Sequence, residues 1–272
     1  MAIDDDDDTS SVSSLNSAGL EDLLRPPDDD DHAPPTLICV DMGSMAEVGM
    51  GVDWRGLAIA AVRAVAACRK RRQDAAGLRL LLLHFPADAA TTATIEAALR
   101  RAGPDDEAEQ STQAPKLARL EDEPAPEPLL ASAWVRVLPP EAFVPHAVLF
   151  PRCRAVMHHG GLGTTVACIR HGGPPQLVVP CTEEQAMWGA VVAYKGMGLT
   201  EGLSLLRGEE GAGMSTTAAG AALAAALAQL LDEEDAMRAA AAQCRAAMVG
   251  EDGVGTVVRV LEEMIDDEEA RS

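Results

Sequence analysis

Eight consecutive residues, His158-His159-Gly160-Gly161-Leu162-Gly163-Thr164-Thr165, bring two imidazoles, three glycines and two hydroxyls into one short segment. An apolar run, Ala155 to Met157, enters it and a helical pattern, Thr165 to Arg170, leaves it. Glycine at three of four positions allows positive φ and lets a ligand approach the backbone with no Cβ in the way. The first N–H groups of the helix have no intrahelical partner, and the helix dipole places partial positive charge beside them. Such a turn suits a phosphate or a diphosphate. It is neither G-x-G-x-x-G nor a phosphate loop closing in G-K-[ST]. The plain alternative is a tight strand-to-helix connection. An anion cradle is expected if the segment lies at the carboxyl end of a parallel strand, where open α/β sheets bind their ligands.

The elements around it alternate. Thr36 to Met42 reads as a buried strand ending in Gly43-Ser44-Met45, and Trp54 to Gln73 as an amphipathic helix closing in Arg69-Lys70-Arg71-Arg72. That basic cluster suits a helix carboxyl end better than an import signal. Leu78 to Phe85 is a second strand, Thr91 to Ala102 a helix and Trp134 to Leu138 a third strand. Thr216 to Leu231, Glu233 to Met248 and Gly253 to Ile265 follow as helices. Strand and helix in alternation imply an α/β fold, a doubly wound parallel sheet of about six strands covered on both faces.

Composition bounds the rest. Of 272 residues 47% are hydrophobic but only 3% aromatic, which suits helices packed closely on a sheet. A net charge of −21 argues against a nucleic-acid partner, which needs clustered Lys and Arg. Much of the acid lies in residues 1–33, in a proline-bearing stretch over 103–130 and in 266–272; these read as a disordered tail and linker, a disordered insertion and an acidic tail around a folded domain over 34–265. Six cysteines without a C-x-x-C pair read as free thiols in a reducing compartment, hence a cytoplasmic location. No metal-ligand spacing appears and no apolar run approaches the roughly 20 residues that span a bilayer, so no metal and no transmembrane segment are expected; peripheral membrane contact stays open.

Four phrases in order carry a resemblance: Val144 to Cys153, His158 to Thr165, Gly173 to Pro180, and Glu184-Gln185-Ala186-Met187-Trp188. Together they resemble the donor-binding signature of nucleotide-sugar glycosyltransferases with two facing Rossmann-like domains, nearest to the sterol glucosyltransferases and the macrolide-type bacterial enzymes. The resemblance implies a single Rossmann-like domain equivalent to the C-terminal half of such a B-type enzyme. It implies a UDP-sugar as donor substrate, with no cofactor and no metal. Phe143 would stack on the base and His146, where Gln is usual, would bond the base or its neighbouring backbone. Gly43 and Ser44 match a turn near the donor phosphates, although Met42 stands where Phe is usual and Asp41 is an unexpected charge. His159 would approach the diphosphate and support the leaving-group charge, with His158 structural. Gly160, Gly161, Gly163, Thr164 and Thr165 would form the cradle. Ala167 stands where plant members carry an acid for the ribose. Glu184 and Gln185 would bond the hexose hydroxyls, Glu replacing the usual Asp, with Trp188 one turn later.

In that family an acceptor domain precedes the donor domain and supplies the general base. Only 35 residues precede the first strand here. The expected function is therefore the donor half of an inverting, metal-independent hexosyltransferase acting on a lipid, sterol-like or small-molecule hydroxyl, with the acceptor half absent from this chain and either supplied by a partner chain or missing because the chain is a fragment. A non-catalytic module that keeps the nucleotide-sugar site is the rival.

Overall fold

A computed structural model of the chain describes residues 36–46, 52–85, 89–102, 130–131, 134–138, 144–202 and 215–269. Seven strands, β1 (Leu37–Asp41), β2 (Arg79–Leu83), β3 (Leu130–Ala131), β4 (Val135–Val137), β5 (Cys153–His158), β6 (Gln176–Val178) and β7 (Gly198–Thr200), form one sheet in the order β3-β4-β2-β1-β5-β6-β7. Six are parallel, as the alternating pattern requires. The two-residue β3 adds an antiparallel edge to β4. The sequence pattern gave no sign of so short a strand.

Helices α1 (Trp54–Arg71), α2 (Ala89–Ala102), α3 (His146–Leu149), α4 (Leu162–Arg170), α5 (Glu183–Tyr194), α6 (Thr216–Asp232), α7 (Glu234–Met248) and α8 (Gly253–Glu269) complete the described chain. Strand alternation divides the apolar residues between two layers. Ile38, Val40, Leu80, Leu82, Val135, Ala155 and Met157 face α1 and α6. Leu37, Cys39, Leu81, Leu83 and Val156 face the opposite way, under α3 and α4. Small side chains bring α1 and α6 close: a Cβ on Gly220 would stand 3.3 Å from the Cβ of Arg63.

Local signals set the helix ends. Asp53 caps α1 by accepting from the Gly56 N–H at 2.8 Å, and Arg69, Lys70 and Arg71 occupy its last turn, where cations complement the dipole. The Arg69 guanidinium also lies 5.3 Å from the Trp134 ring centroid. The final helix runs four residues past Ile265, to Glu269, since no Gly or Pro stops it. The expected tail therefore begins inside α8. The expected segment 1–33 and all of the insertion but Leu130 lie outside the described residues.

The sheet's connection reverses between β1 and β5. From β1 the chain moves to β2 and β4 on one side; from β5 it moves to β6 and β7 on the other. The turns that leave the carboxyl ends of β1 and β5 thus part from each other and open a crevice, the topological switch point of an open α/β sheet.

Candidate functional site

Three turns meet at this crevice. The first follows β1 and contains a short 3-10 turn, Gly43–Ala46. The second follows β5 and leads through His159, Gly160 and Gly161 into α4. The third, at Cys181 and Thr182, begins α5.

The glycines of the second turn have separate reasons to be glycine. Gly160 has φ +89°, and a Cβ there would stand 2.7 Å from Val178 Cγ1 and 2.8 Å from the Gln185 carbonyl oxygen. It joins the turn to β6 and α5. A Cβ on Gly161 would fall 2.3 Å from His159 Nε2, and one on Gly43 would fall 3.0 Å from His159 Cε1. Two glycines from different turns therefore make room for one imidazole. Gly163 differs: it is exposed, and a Cβ there would meet nothing within 4 Å.

Helix α4 starts with no side-chain cap on its N-cap residue, Gly161. Thr165 is the residue whose N–H closes the first helical bond, to the Gly161 carbonyl at 3.0 Å. The preceding residues Leu162 and Gly163 are exposed and Thr164 is half-buried. The start of α4 thus presents amides and the positive end of the dipole to the crevice.

The adjacent histidines have opposite states. His158 is fully buried; its Nδ1 accepts from the Gly160 N–H at 3.1 Å and its Nε2 donates to Gln176 Oε1 at 3.0 Å. Those two bonds define one neutral tautomer, and burial pushes the imidazole down to about 4, against the Gln176 bond. His158 is structural, as the resemblance implied. His159 is 8% exposed and its buried Nδ1 has no hydrogen-bond partner. Burial lowers His159 too, against the attraction of Asp41. A buried polar atom without a partner costs free energy unless something supplies one.

Asp41, the unexpected charge, is the hub of the first turn. It is 1% exposed. Its Oδ1 accepts from the Gly43 N–H and from His84 Nδ1, and its Oδ2 from His146 Nε2, each at 2.9 Å. Burial alone would raise its pKa, but the bonds from His146, His84 and Gly43 outweigh burial and hold the carboxyl well below the usual carboxylate range. The residues carrying this hub are 43 and 105 positions away from Asp41. The signal present in the sequence was a charge closing an otherwise apolar strand, LICVD, which folding must partner.

Several residues expected to meet the ligand also have partners within the protein. His146 is partly exposed, bonds Asp41, and stacks its ring on Phe150 at a centroid distance of 4.3 Å. Thr165 is 2% exposed and its hydroxyl donates to the Gly161 carbonyl. Gln185 is 5% exposed; its Oε1 accepts from the Cys181 and Thr182 N–H groups and closes a capping box with Thr182. Its Nε2 donates to Met45 Sδ at 3.3 Å, which fastens α5 to the first turn. Glu184 is exposed at the start of α5, and its Oε1 accepts from Trp188 Nε1 at 3.2 Å. Ser44 lies in the 3-10 turn beside Gly43. Phe143 lies outside the described residues.

Residues 131–264 match the family model of the erythromycin biosynthesis protein CIII-like C-terminal domain. The match covers 134 of the 272 residues, just under half of the chain, and is a similarity to that C-terminal domain. A sterol 3-beta-glucosyltransferase of Arabidopsis thaliana is 49% identical over 55 residues, 20% of this chain and 8% of that protein. The elloramycin glycosyltransferase of Streptomyces olivaceus is 44% identical over 66 residues, 23% of this chain and 17% of that protein. A calicheamicin glycosyltransferase crystal structure aligns with 89% of this chain and 45% of its own at a TM-score of 0.50 and 15% identity, a likeness of fold. The chain spans under half the length of that neighbour. In this family domain the matched stretch includes the second and third turns of the crevice, whereas Asp41 and His84 lie before it. Among the described residues no helix is long and apolar enough to cross a membrane.

Proposed function

We propose that this chain is the donor half of an inverting, metal-independent hexosyltransferase, and that a nucleotide sugar binds in the switch-point crevice. The observation that carries the reading is the meeting of uncapped α4 with His159, whose ring fits between Gly43 and Gly161 and whose Nδ1 lacks a protein partner. The diphosphate lies against the α4 amides, over Gly163 and beside Thr164. Glu184 faces the hexose hydroxyls from α5, and Gln185 shapes that end of the site through the cap. The donor is a UDP-sugar by the family's habit. A TDP-sugar meets the same cradle.

In the reaction the acceptor oxygen forms a bond to the anomeric carbon from the face opposite the diphosphate. The bond from that carbon to the phosphate oxygen breaks, and the nucleoside diphosphate leaves with the electron pair. The α4 amides and the helix dipole stabilise this developing charge, which is the task a metal performs elsewhere. The acceptor's proton goes to a base on the acceptor half, supplied by a partner chain or another domain. The acceptor is a lipid, sterol-like or small-molecule hydroxyl. Six free thiols support a reducing, cytoplasmic setting.

Titration calorimetry of the full chain with UDP-glucose and TDP-glucose tests the site. Binding of one of them is expected, weakened roughly tenfold or more in His159→Ala, in line with a lost contact to a charged group. Absence of binding at millimolar ligand for both would remove the donor-site reading. A second reading, a module that binds the donor and transfers nothing, is favoured by the anionic hub at Asp41 and the internal bonds of Gln185. It predicts binding with neither transfer nor sugar hydrolysis when acceptor-domain partners are added.

A further inference from the structure

Helix α8 stands uncovered. Val254, Val257, Val258, Leu261, Met264 and Ile265 are between 47% and 78% exposed. Their spacing, at i, i+3, i+4, i+7, i+10 and i+11, collects them into one apolar stripe. Every residue from Thr256 to Asp266 is exposed. A helix of this length is marginal in water by itself, and Gly253, Gly255 and the valines at 257, 258 and 260 lower its propensity further. Its stability has to come from something laid over the stripe. Glu262 and Asp266 border that stripe, against the helix's single cation, Arg259. The surface that α8 fits is therefore apolar and edged with positive charge.

Such a surface lies between α1 and α6. These helices leave a groove of about 330 Å³ between them, lined by Ala221, Ala225 and Ala228 of α6 and by Arg63, Arg71 and Arg72 along α1. Arg72 is occupied by Asp74 and Asp232. Arg63 Nη1 donates to the Thr217 hydroxyl at 3.1 Å, and among the described residues neither Arg63 nor Arg71 has a carboxylate partner. In a chain of net charge −21, two guanidiniums left without a carboxylate beside an open groove stand out. The basic end of the groove lies where α1 gives way to β2, at the amino edge of the sheet and opposite the crevice.

We propose that the chain pairs with a second copy of itself by exchanging α8: the helix of each copy lies in the α1–α6 groove of the other. Leu261 and its neighbours in the stripe meet the alanines, and Glu262 and Asp266 meet Arg63 and Arg71. This is an amphipathic helix laid in a groove. Reciprocal exchange closes on itself about a two-fold axis, so both stripes and both grooves are covered and no end is left for growth. Two α8 helices packed on each other would cover the stripes as well, but would bring their bordering carboxylates together with only Arg259 of each to offset them. The net charge of each copy opposes pairing only weakly, because charges farther apart than about 8–10 Å are largely screened at physiological salt. The inference is independent of the donor-site reading, which concerns the other edge of the sheet.

Sedimentation equilibrium of the full chain tests the pairing. A dimer is expected, and its affinity is expected to fall several-fold as salt is raised, since the facing charges are partly exposed. A parent that stays monomeric overturns the proposal, whether α8 then covers its own chain or serves another protein. Leu261→Asp places a charge in the stripe, and Arg63→Glu with Arg71→Glu reverses the groove. Each change is expected to weaken pairing roughly tenfold or more. An unchanged dimer in either case overturns the proposal. Mixing the two variants separates exchange from helix-on-helix packing. The Leu261→Asp chain keeps its groove and the double variant keeps its helix, so a mixed pair with one intact contact is expected, tighter than either variant forms with itself. Absence of that mixed pair overturns the exchange. Should the double variant fail a thermal-unfolding check, Ala225→Arg, at an exposed position in the groove, replaces it with the same expectations.

Discussion

The turn after β1 and the turn after β5 face the same crevice, yet they are built from different physics. The first is organised by charge: one buried carboxylate gathers the Gly43 N–H, His84 and His146. The second is organised by shape: Gly160 and Gly161 let the backbone approach Gln185 and the His159 ring, and a neutral His158 holds the Gly160 N–H. A cradle for a dianion needs donors without a fixed anion of its own, and the second turn meets that need. The first turn holds its carboxylate with imidazole and amide donors of the protein itself. Shape thus organises one side of the crevice, and charge the other.

The sharpest break of this comparison is Gly160→Ala. If the second turn works by shape, an added methyl is intolerable there. The backbone has φ +89°, and the Cβ would lie inside contact distance of both Val178 and the Gln185 carbonyl. Neither is the end of a flexible chain. Strain and overpacking together are expected to destabilise the domain by about 3 kcal/mol or more. Urea unfolding followed by circular dichroism measures it. A loss below about 1 kcal/mol would show that α5 moves away freely, and that the second turn is not fixed by close packing.

Acid separates the two turns next. His158 is depressed from 6.5 to about 4, so between those values the unfolded chain binds the proton that the folded one refuses. Its contribution is complete above pH 6.5 and is lost as pH falls toward 4, about 3 kcal/mol in all. Asp41 is also depressed, so its contribution is complete above the ordinary 3.8 and is lost only below that value. The second turn should thus weaken in mild acid and the first in strong acid. His158→Asn retains an acceptor for the Gly160 N–H, and is expected to flatten the pH dependence of unfolding between 6.5 and 4. Asp41→Asn is expected to leave that window unchanged and to lessen the loss below pH 4. A parent whose stability does not change from pH 7 to 4 would contradict the burial of a neutral His158.

The same contrast governs what the sequence disclosed. The parallel α/β order was legible because strand and helix periodicities alternate over most of the described chain, and because each apolar stripe has its own residues to bury. The second turn was legible as a run of glycines with a strand before and a helix after. The reason for two of those glycines was not: Gly43 and Gly161 stand against one ring, across a separation of 118 residues that only the β1–β5 pairing closes. Asp41 could be recognised as odd, but its partners could not, since His84 and His146 sit after a different strand and on a short helix. Gln185 was legible as a motif residue, but its structural part was not, although T-E-E-Q spells a capping box. Local pattern reveals elements, whereas a buried charge is resolved by topology.

Gly163→Ala should have the smallest effect on stability, and it tests the second turn most directly. Gly160 and Gly161 are required by the protein's own atoms, whereas nothing lies within 4 Å of a Cβ on Gly163. Folding alone gives no reason for glycine there. In the first turn of α4, alanine is the better helix former, so stability is expected to stay level or rise by up to about 1 kcal/mol. If a diphosphate rests on this turn, the same methyl occupies its approach. Affinity for UDP-glucose is then expected to fall roughly tenfold or more, a cost of at least ~1.4 kcal/mol. Thermal unfolding and calorimetry on the one variant give both numbers. A more stable protein with weaker donor binding would place the ligand over Gly163. A more stable protein that binds the donor as before would move the phosphates off α4 and toward the imidazoles of the first turn.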